Sequence, residues 1–241
     1  MNVNSNRYTY TFATAMVVVV AVLLSSASLG LKSKQDDNIK QEKMQSILAS
    51  VGVNVDRSEA QASFKNIITE VLTIKDGKDV SSERDKEGFD IDMASAIKAP
   101  NNEREVPLYV ASVPNENNEG STRYYIIPLR GKGLWGPVWG FMSLEDDGRT
   151  VVGANFGHKS ETPGLGAEIA TKEFTDQFPG KKISDEAGAF KSISVVKAGT
   201  SEGAYAVDGI SGGTITSNGV HEMMQDCLEP YTKYFNENIK K

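Results

Sequence analysis

The sequence predicts an α+β fold: a single N-terminal transmembrane helix, then one domain built on an antiparallel sheet. Residues 8–31, YTYTFATAMVVVVAVLLSSASLGL, hold no charged side chain, and about 20 apolar residues suffice to cross a bilayer core. Short apolar runs at 106–113, 124–129, 138–144 and 150–154 are separated by turn-rich stretches, the pattern of strands joined by hairpins. Near the C-terminus, Val220, Met223, Met224, Cys227, Leu228 and Tyr231 form an apolar stripe at helical spacing.

Each element has a local reason. Within the span, residues 16–24 are almost continuous Val, Ala and Leu, and Tyr8 and Tyr10 are suited to a membrane interface. The SSAS before Leu29 also fits a cleaved signal peptide, but the apolar run outlasts the roughly 7–15 residues of a usual signal core. Arg7 precedes the span and Lys32 and Lys34 follow it, so the positive-inside rule sets no orientation. In residues 36–51, Ile39, Met44, Ile47, Leu48 and Val51 fall near helical spacing with Asp36 and Asp37 at the amino end, which predicts a stalk or first helix. Residues 61–90, with the β-branched run 66–73 and the turn Asp76-Gly77, read as strands. NENNEGS at 115–121 is a loop, and Asp146-Asp147-Gly148 turns a hairpin between 138–144 and 150–154. Residues 167–178 predict a helix on Ile169, Phe174 and Phe178, stopped by Pro179-Gly180; residues 193–196 predict a strand. In the last helix Pro230 predicts a kink or an end. The resulting division is 1–7 before the span, 8–31 the span, 32–52 the stalk and 53–241 the domain.

Composition narrows the function. The 241 residues include 26 basic and 32 acidic side chains, a net charge of −6 without a basic cluster, so no nucleic-acid partner is expected. Cys227 is the sole cysteine; it permits no internal disulfide or thiolate cluster, and its place on the apolar stripe reads as core. With only His158 and His221 as histidines, a protein-held zinc is not expected either.

Three segments are candidates for a site. In GKGLWGPVWG, residues 131–140, glycines alternate with both tryptophans, which suits close backbone approach beside a flat surface or a buried aromatic turn. In HKSETPGLGAEI, residues 158–169, Thr162-Pro163-Gly164 has the chemistry of a type II turn. The loop from Glu161 and Thr162 through Gly164, Leu165 and Gly166 can present amides and one aliphatic side chain to a flat ligand, or simply join a strand to a helix with Glu168 in its first turn. In DGISGGTITSNG, residues 208–219, Asp208 ends a strand, and Ser211, Thr214, Thr216 and Ser217 offer hydroxyls around Gly212 and Gly213 near a helix amino terminus. Such a terminus favours phosphate, although Ser, Thr and Asn also cap helices without any ligand. ISGGT is reminiscent of a serine-protease GDSGG, but Asp208 stands three places before Ser211 and the only upstream histidine is His158. A hydrolase, testable by loss of peptidase activity on Ser211→Ala, is the weakest reading.

The four features in order, an N-terminal span, LWGPVWG, ETPGLGAE and DGISGGT followed by ITSNGV, resemble the FMN-binding domain family. Over nearly the whole chain, least firmly at 53–118, the resemblance is to the NqrC family of the sodium-translocating NADH:quinone reductases. That resemblance implies a covalent FMN joined through its phosphate to the last threonine of a D-G-x-S/T-G-A-T motif, here Thr214, with Gly213 standing where alanine is usual. It implies Asp208, Ser211, Gly212, Gly213, Thr216, Glu161, Thr162, Gly164, Leu165 and Gly166 as cofactor-binding residues, with no catalytic or metal-ligating residue. It also implies maturation by a flavin transferase and partnership with the other subunits of the complex, designated A, B, D, E and F. The N-terminus is then cytoplasmic, in the bacterial inner membrane, and the domain extracytoplasmic. The homologous RnfG subunits of the Rnf ferredoxin:NAD oxidoreductases share the anchor, loop and motif; the longer region between stalk and LWGPVWG favours the NqrC family. A cofactor-free membrane-anchored assembly module is the remaining alternative.

Overall fold

The computed structural model describes residues 5–81, 87–115 and 120–239. The chain divides into two units, Met1–Lys43 and Met44–Lys241. The first is the body of helix α1 (Asn6–Ser50), long and apolar enough to cross a membrane, with none of its most apolar window buried by protein. Because α1 begins at Asn6, Asp36 and Asp37 lie inside one long helix rather than at the start of a second one. Of the segments read from the sequence, residues 1–4, 82–86 and 116–119 lie outside the described residues.

The second unit is centred on a six-stranded sheet in the order β2-β1-β3-β4-β5-β6. Helix α2 (Ala60–Ile67) leads directly into β1 (Ile68–Lys75), and β2 (Lys78–Asp79) pairs back across Asp76-Gly77. Both turn residues have positive φ, 48° and 77°, as a tight hairpin with right-handed twist requires. Residues 61–66, expected in a strand, are helical because Ala60 and Phe64, one turn apart, bury the same face. A four-residue helix, α3 (Glu87–Asp90), closes that region in place of strand, and a second, α4 (Met93–Ala96), follows it.

Strands β3 (Glu105–Pro114), β4 (Ser121–Lys132), β5 (Pro137–Leu144) and β6 (Val151–His158) form an antiparallel meander that matches all four predicted apolar runs. Of the loop read at 115–121, residues 116–119 lie outside the described residues and Ser121 already belongs to β4; the Asn115 amide donates to the Gly120 carbonyl at 3.0 Å. Asp147 shapes the turn before β6, its carboxylate accepting from the amides of Arg149 and Thr150, both at 2.8 Å.

Both faces of this sheet are covered. On one, Leu108, Val110, Ile127, Leu129, Val138 and Met142 join the buried side chains of α6 (Thr214–Asn238) in the larger core. On the other, Tyr109, Ala111, Ile126 and Phe141 meet Ile47 and Leu48 from the end of α1, Val51 just beyond it and Phe64 from α2. Double coverage explains why β3 reads as a continuous apolar run instead of an alternating one.

Residues 167–178 are not one helix. A 3₁₀ turn at Gly166–Ala170 and a short α5 (Lys172–Thr175) are separated by Thr171 in extended backbone, φ −83° and ψ 156°. The spacing of Ile169, Phe174 and Phe178 reported a shared buried side: Phe174 and Phe178 pack on Phe156 of β6, with ring centroids at 5.6 and 5.1 Å. Beyond them β7 (Ser194–Val196) and β8 (Ala206–Asp208) form a small parallel pair, with Val196 opposite Asp208.

Helix α6 runs for 25 residues and does not stop at Pro230. Proline removes the donor that would serve the carbonyl of Asp226. Buried Arg104 supplies the missing donor: its Nη1 lies 2.7 Å from Asp226 O, while Nη2 lies 2.9 Å from Ile97 O and 3.2 Å from Ala99 O. The helix therefore passes through Pro230 with its exposed carbonyl satisfied.

Candidate functional site

Helix α6 opens inside the hydroxyl-rich motif. Thr214 is its first residue, so the hydroxyl cluster read as near a helix amino terminus includes the first turn itself, and Asn218 and Gly219 are in the second. The N-cap is Gly213, which offers no side-chain hydrogen bond. The first amides of an α-helix have no partner inside it, and Thr214, which carries the first of them, is exposed. Gly212 holds φ at +77°, and a Cβ there would lie 2.8 Å from Leu165 Cδ2. The backbone thus turns through a conformation that suits glycine, with an aliphatic side chain lying against it.

That contact brings two sequence candidates together. In the ETPGLG loop, Gly164 has φ +76° and the Leu165 amide donates to Thr162 O at 3.1 Å, which closes the predicted type II turn. Glu168 braces it by accepting from the Gly164 amide at 2.8 Å. Leu165, at the end of the turn, stays 42% exposed beside the glycines of the motif.

Glu161 binds all three candidate segments. Its side chain is only 5% exposed. Oε2 accepts from Thr216 Oγ1 at 2.6 Å and Oε1 accepts from the Trp135 amide at 2.9 Å. Burial raises the carboxyl, but the Thr216 hydroxyl and the amides of Trp135, Leu134 and Gly136 outweigh it and hold Glu161 below its ordinary value. A buried anion with four donors is a rigid hinge pin between the GKGLWG loop, the ETPGLG loop and the first turn of α6. Gly166 is needed for this approach, because a Cβ there would collide with Thr216 Oγ1 and lie 2.6 Å from Glu161 Oε2. The loop is also held from the other side, the Glu161 amide donating to His158 Nδ1 at 3.2 Å.

The structure assigns the remaining candidates different surroundings. Thr216 and Ser217 are buried; Thr216 serves Glu161, and Ser217 Oγ accepts from the Ile210 amide at 2.9 Å. Ser211 is exposed. Asp208 is turned toward the 197–201 loop, its Oδ1 accepting from Ser201 N at 2.8 Å and Thr200 N at 3.0 Å. The Ser201 amide, followed by that of Thr200, holds this carboxyl below its ordinary value against the cost of desolvation.

Leu134 and Trp135, 46% and 65% exposed, sit on the loop whose backbone Glu161 ties to the ETPGLG loop. The sequence signal was present in the Gly-Leu-Trp-Gly spacing, which separates an exposed Trp135 from Trp139, half-buried in β5 beneath Arg130 at 5.5 Å. Ile215 is 57% exposed next to Thr214. Exposed Leu165 and Ile215 are thus the apolar side chains beside the start of α6. Thr214 also lines a cleft of about 420 Å³ walled by β7 and the motif.

Comparison with known proteins places the chain in a family. A sequence profile of the FMN-binding domain matches residues 133–229, which run from the Glu161-bound loop into α6. The corresponding Na(+)-translocating NADH-quinone reductase subunit of Vibrio anguillarum is 33% identical over 207 residues, covering 82% of this chain and 80% of that protein. The crystal structure of the same subunit from Parabacteroides distasonis superposes with a TM-score of 0.74 at 42% identity, covering 85% of this chain and 96% of that one. Shewanella oneidensis NqrC superposes with a TM-score of 0.64 at 27% identity, covering 82% of this chain and 97% of that one. The chain belongs to the NqrC family, subunits of the Na(+)-translocating NADH-quinone reductases.

Proposed function

We propose that the chain is an electron-carrying subunit of a sodium-translocating NADH:quinone reductase and holds FMN by a phosphoester to Thr214 Oγ1. The observation that carries this is an exposed Thr214 hydroxyl at the uncapped first position of a 25-residue helix, between the bare backbone of Gly212–Gly213 and the exposed Leu165. The residues fit the group. A phosphodiester anion is favoured where helix amides and the positive end of the helix dipole are free of a side-chain cap. The exposed aliphatic side chains of Leu165 and Ile215 beside Thr214 suit a flat aromatic ring.

When bound, FMN supplies reversible electron acceptance and donation, chemistry that belongs to the cofactor. The chain's own residues position and tune. Glu161 fixes the spacing between the two loops and the helix that carries the acceptor, and its buried negative charge makes added negative charge nearby less favourable. Thr216 and Ser217, both committed to internal hydrogen bonds, leave Thr214 as the accessible hydroxyl of the helix's first turn. No group here has to act as general acid or base. The apolar helix anchors the protein in the bacterial inner membrane beside its partner subunits, designated A, B, D, E and F, with the folded unit extracytoplasmic and matured by a flavin transferase. Sodium movement and quinone reduction belong to those partners.

The test is direct. Full-length chain made in cells that contain the flavin transferase is denatured and examined by in-gel fluorescence and intact mass. Wild type is expected to fluoresce and to carry FMN less one water, Thr214→Ser to keep part of the label, and Thr214→Ala to lose it. A label that survives in Thr214→Ala overturns the attachment site, and a wild type with bare-polypeptide mass overturns the reading.

A further inference from the structure

Trp135 is the most exposed large apolar side chain described in the folded unit, and exposed Leu134 stands beside it. Their backbone is not loose. The Gly133 amide donates to Gly136 O at 2.7 Å, Trp135 N to Glu161 Oε1 at 2.9 Å and Ser160 Oγ to Trp135 O at 3.3 Å. A single exposed apolar residue is ordinary, but two adjacent ones on a pinned backbone form a contact that has little ordering left to do.

Charge along these strands runs against that of the chain. The net charge is −6, yet residues 121–144 and 151–160, which hold β4, β5, β6 and the loop, contain no acidic side chain. Exposed Lys132 precedes the tip, and exposed Lys159 lies against it, its Cβ 3.5 Å from where a Cβ on Gly136 would stand. Among the described residues neither lysine is in an ion pair. Arg130 is already engaged, over the Trp139 ring at 5.5 Å and acting on the Asp92 carboxyl. Tryptophan and leucine between free lysines have the chemistry of a membrane interface. The indole seats among headgroups, the leucine enters the acyl boundary and the ammonium groups meet anionic phosphates.

We infer that the Leu134–Trp135 tip, with Lys132 and Lys159, docks into the anionic headgroup layer of the membrane that holds the chain. The inference rests on α1 being a membrane anchor and needs no flavin. Residues 32–43 alone separate the uncharged run ending at Leu31 from the folded unit beginning at Met44, and they reach at most about 40 Å even fully extended. A tether that short makes a weak surface contact effectively intramolecular. Lipid fits the tip better than a protein partner does, because two apolar side chains supply far less than the roughly 800 Å² per partner of a stable protein interface. The Glu161 carboxylate joins this loop to Thr216 in the first turn of α6, so docking also fixes how the start of that helix is presented to the bilayer.

The experiment uses the full chain labelled with 5-fluorotryptophan, made in cells lacking the flavin transferase and reconstituted into nanodiscs of phosphatidylcholine alone or mixed with phosphatidylglycerol. Trp135→Phe assigns the fluorine signals of Trp135 and Trp139, the two tryptophans of the chain. With phosphatidylglycerol present, a headgroup spin label is expected to broaden the Trp135 signal more than that of half-buried Trp139, and a water-soluble paramagnet to reach Trp135 less than it does in phosphatidylcholine alone. Each lysine near an anionic surface favours the docked form roughly fivefold, so Lys132→Gln/Lys159→Gln should lower the docked-to-free ratio roughly thirtyfold. High salt should act on the wild type in the same direction and reads the same charges should the double variant fail to fold. A Trp135 signal untouched by the lipid label in anionic nanodiscs, or broadened equally in both lipids and at every salt concentration, overturns the inference. Shielding of Trp135 that requires attached FMN or another subunit, rather than lipid, overturns it as well. A chain that does not stay in the nanodisc overturns the anchor reading instead.

Discussion

Replacing Glu161 by Gln tests the pin that holds the site together. The substitution keeps size and shape but removes the charge and turns one acceptor oxygen into a donor. Two kinds of partner compete for the oxygen that remains: the Trp135 amide, 2.9 Å from Oε1, and the Thr216 hydroxyl, 2.6 Å from Oε2. The amide cannot reverse its polarity, whereas the hydroxyl can rotate to accept. The substituted side chain therefore places its carbonyl on the loop and its nitrogen on Thr216, and what is lost is charge assistance at a site 5% exposed. The expected cost is about 1–2 kcal/mol, or roughly 2–8 °C in the melting temperature of a folded unit of this size. The sign of the pH dependence follows from the lowered carboxyl. Folded Glu161 binds a proton less readily than the ordinary value of 4.5, so its contribution is complete above that pH and is lost as pH falls through the lower folded value. Thermal unfolding of wild type and Glu161→Gln should differ at pH 7 and converge as the pH falls well below 4.5. Equal melting temperatures at pH 7, or a difference that persists unchanged in acid, would refute the hydrogen-bonded pin; so would zero coupling between Glu161→Gln and Thr216→Val in a double-mutant cycle.

Further outcomes follow from other contacts. Arg104→Met should destabilise the folded unit by about 3 kcal/mol, because the carbonyls of Asp226, Ile97 and Ala99 lose their donor. Its cost should shrink by about 1 kcal/mol in a Pro230→Ala background, where the helix regains a donor for Asp226; chemical denaturation curves of the four variants decide this. Gly166→Ala puts a methyl onto Thr216 Oγ1 and Glu161 Oε2 and should cost roughly 1–3 kcal/mol, with a matching fall in covalent flavin fluorescence. Cys227 is 2% exposed and burial pushes its thiol up to about 11, so a thiol reagent should modify it only after denaturant is added, as read by mass.

Much of the architecture was legible along the chain because strands and turns are decided by near neighbours. The runs at 106–113, 124–129, 138–144 and 150–154 became β3 to β6, and Asp147-Gly148 turned the hairpin as its side-chain chemistry dictates. Spacing misled where burial was shared by pieces that are not one element. Ile169, Phe174 and Phe178 line one core side without a continuous helix, and Ala60 with Phe64 hid a helix in a stretch read as strand. The start of α6 at Thr214 rather than beyond Asn218-Gly219 was hidden by residues that disfavour helix interiors, and packing of the following stripe overrode them.

Alone, the sequence determined the apolar span, the antiparallel strands, the three small-residue segments and the order in which they come, because each is a property of adjacent residues and their period. Tertiary structure decided which polar group answers which. Glu161 meets Thr216 across 55 positions, Arg104 serves the carbonyl below Pro230 across 122, and Asp208 turns to Thr200 and Ser201 while Thr214 stays open. A buried donor or acceptor must find a partner within about 3 Å, and only the folded chain determines what lies within that distance.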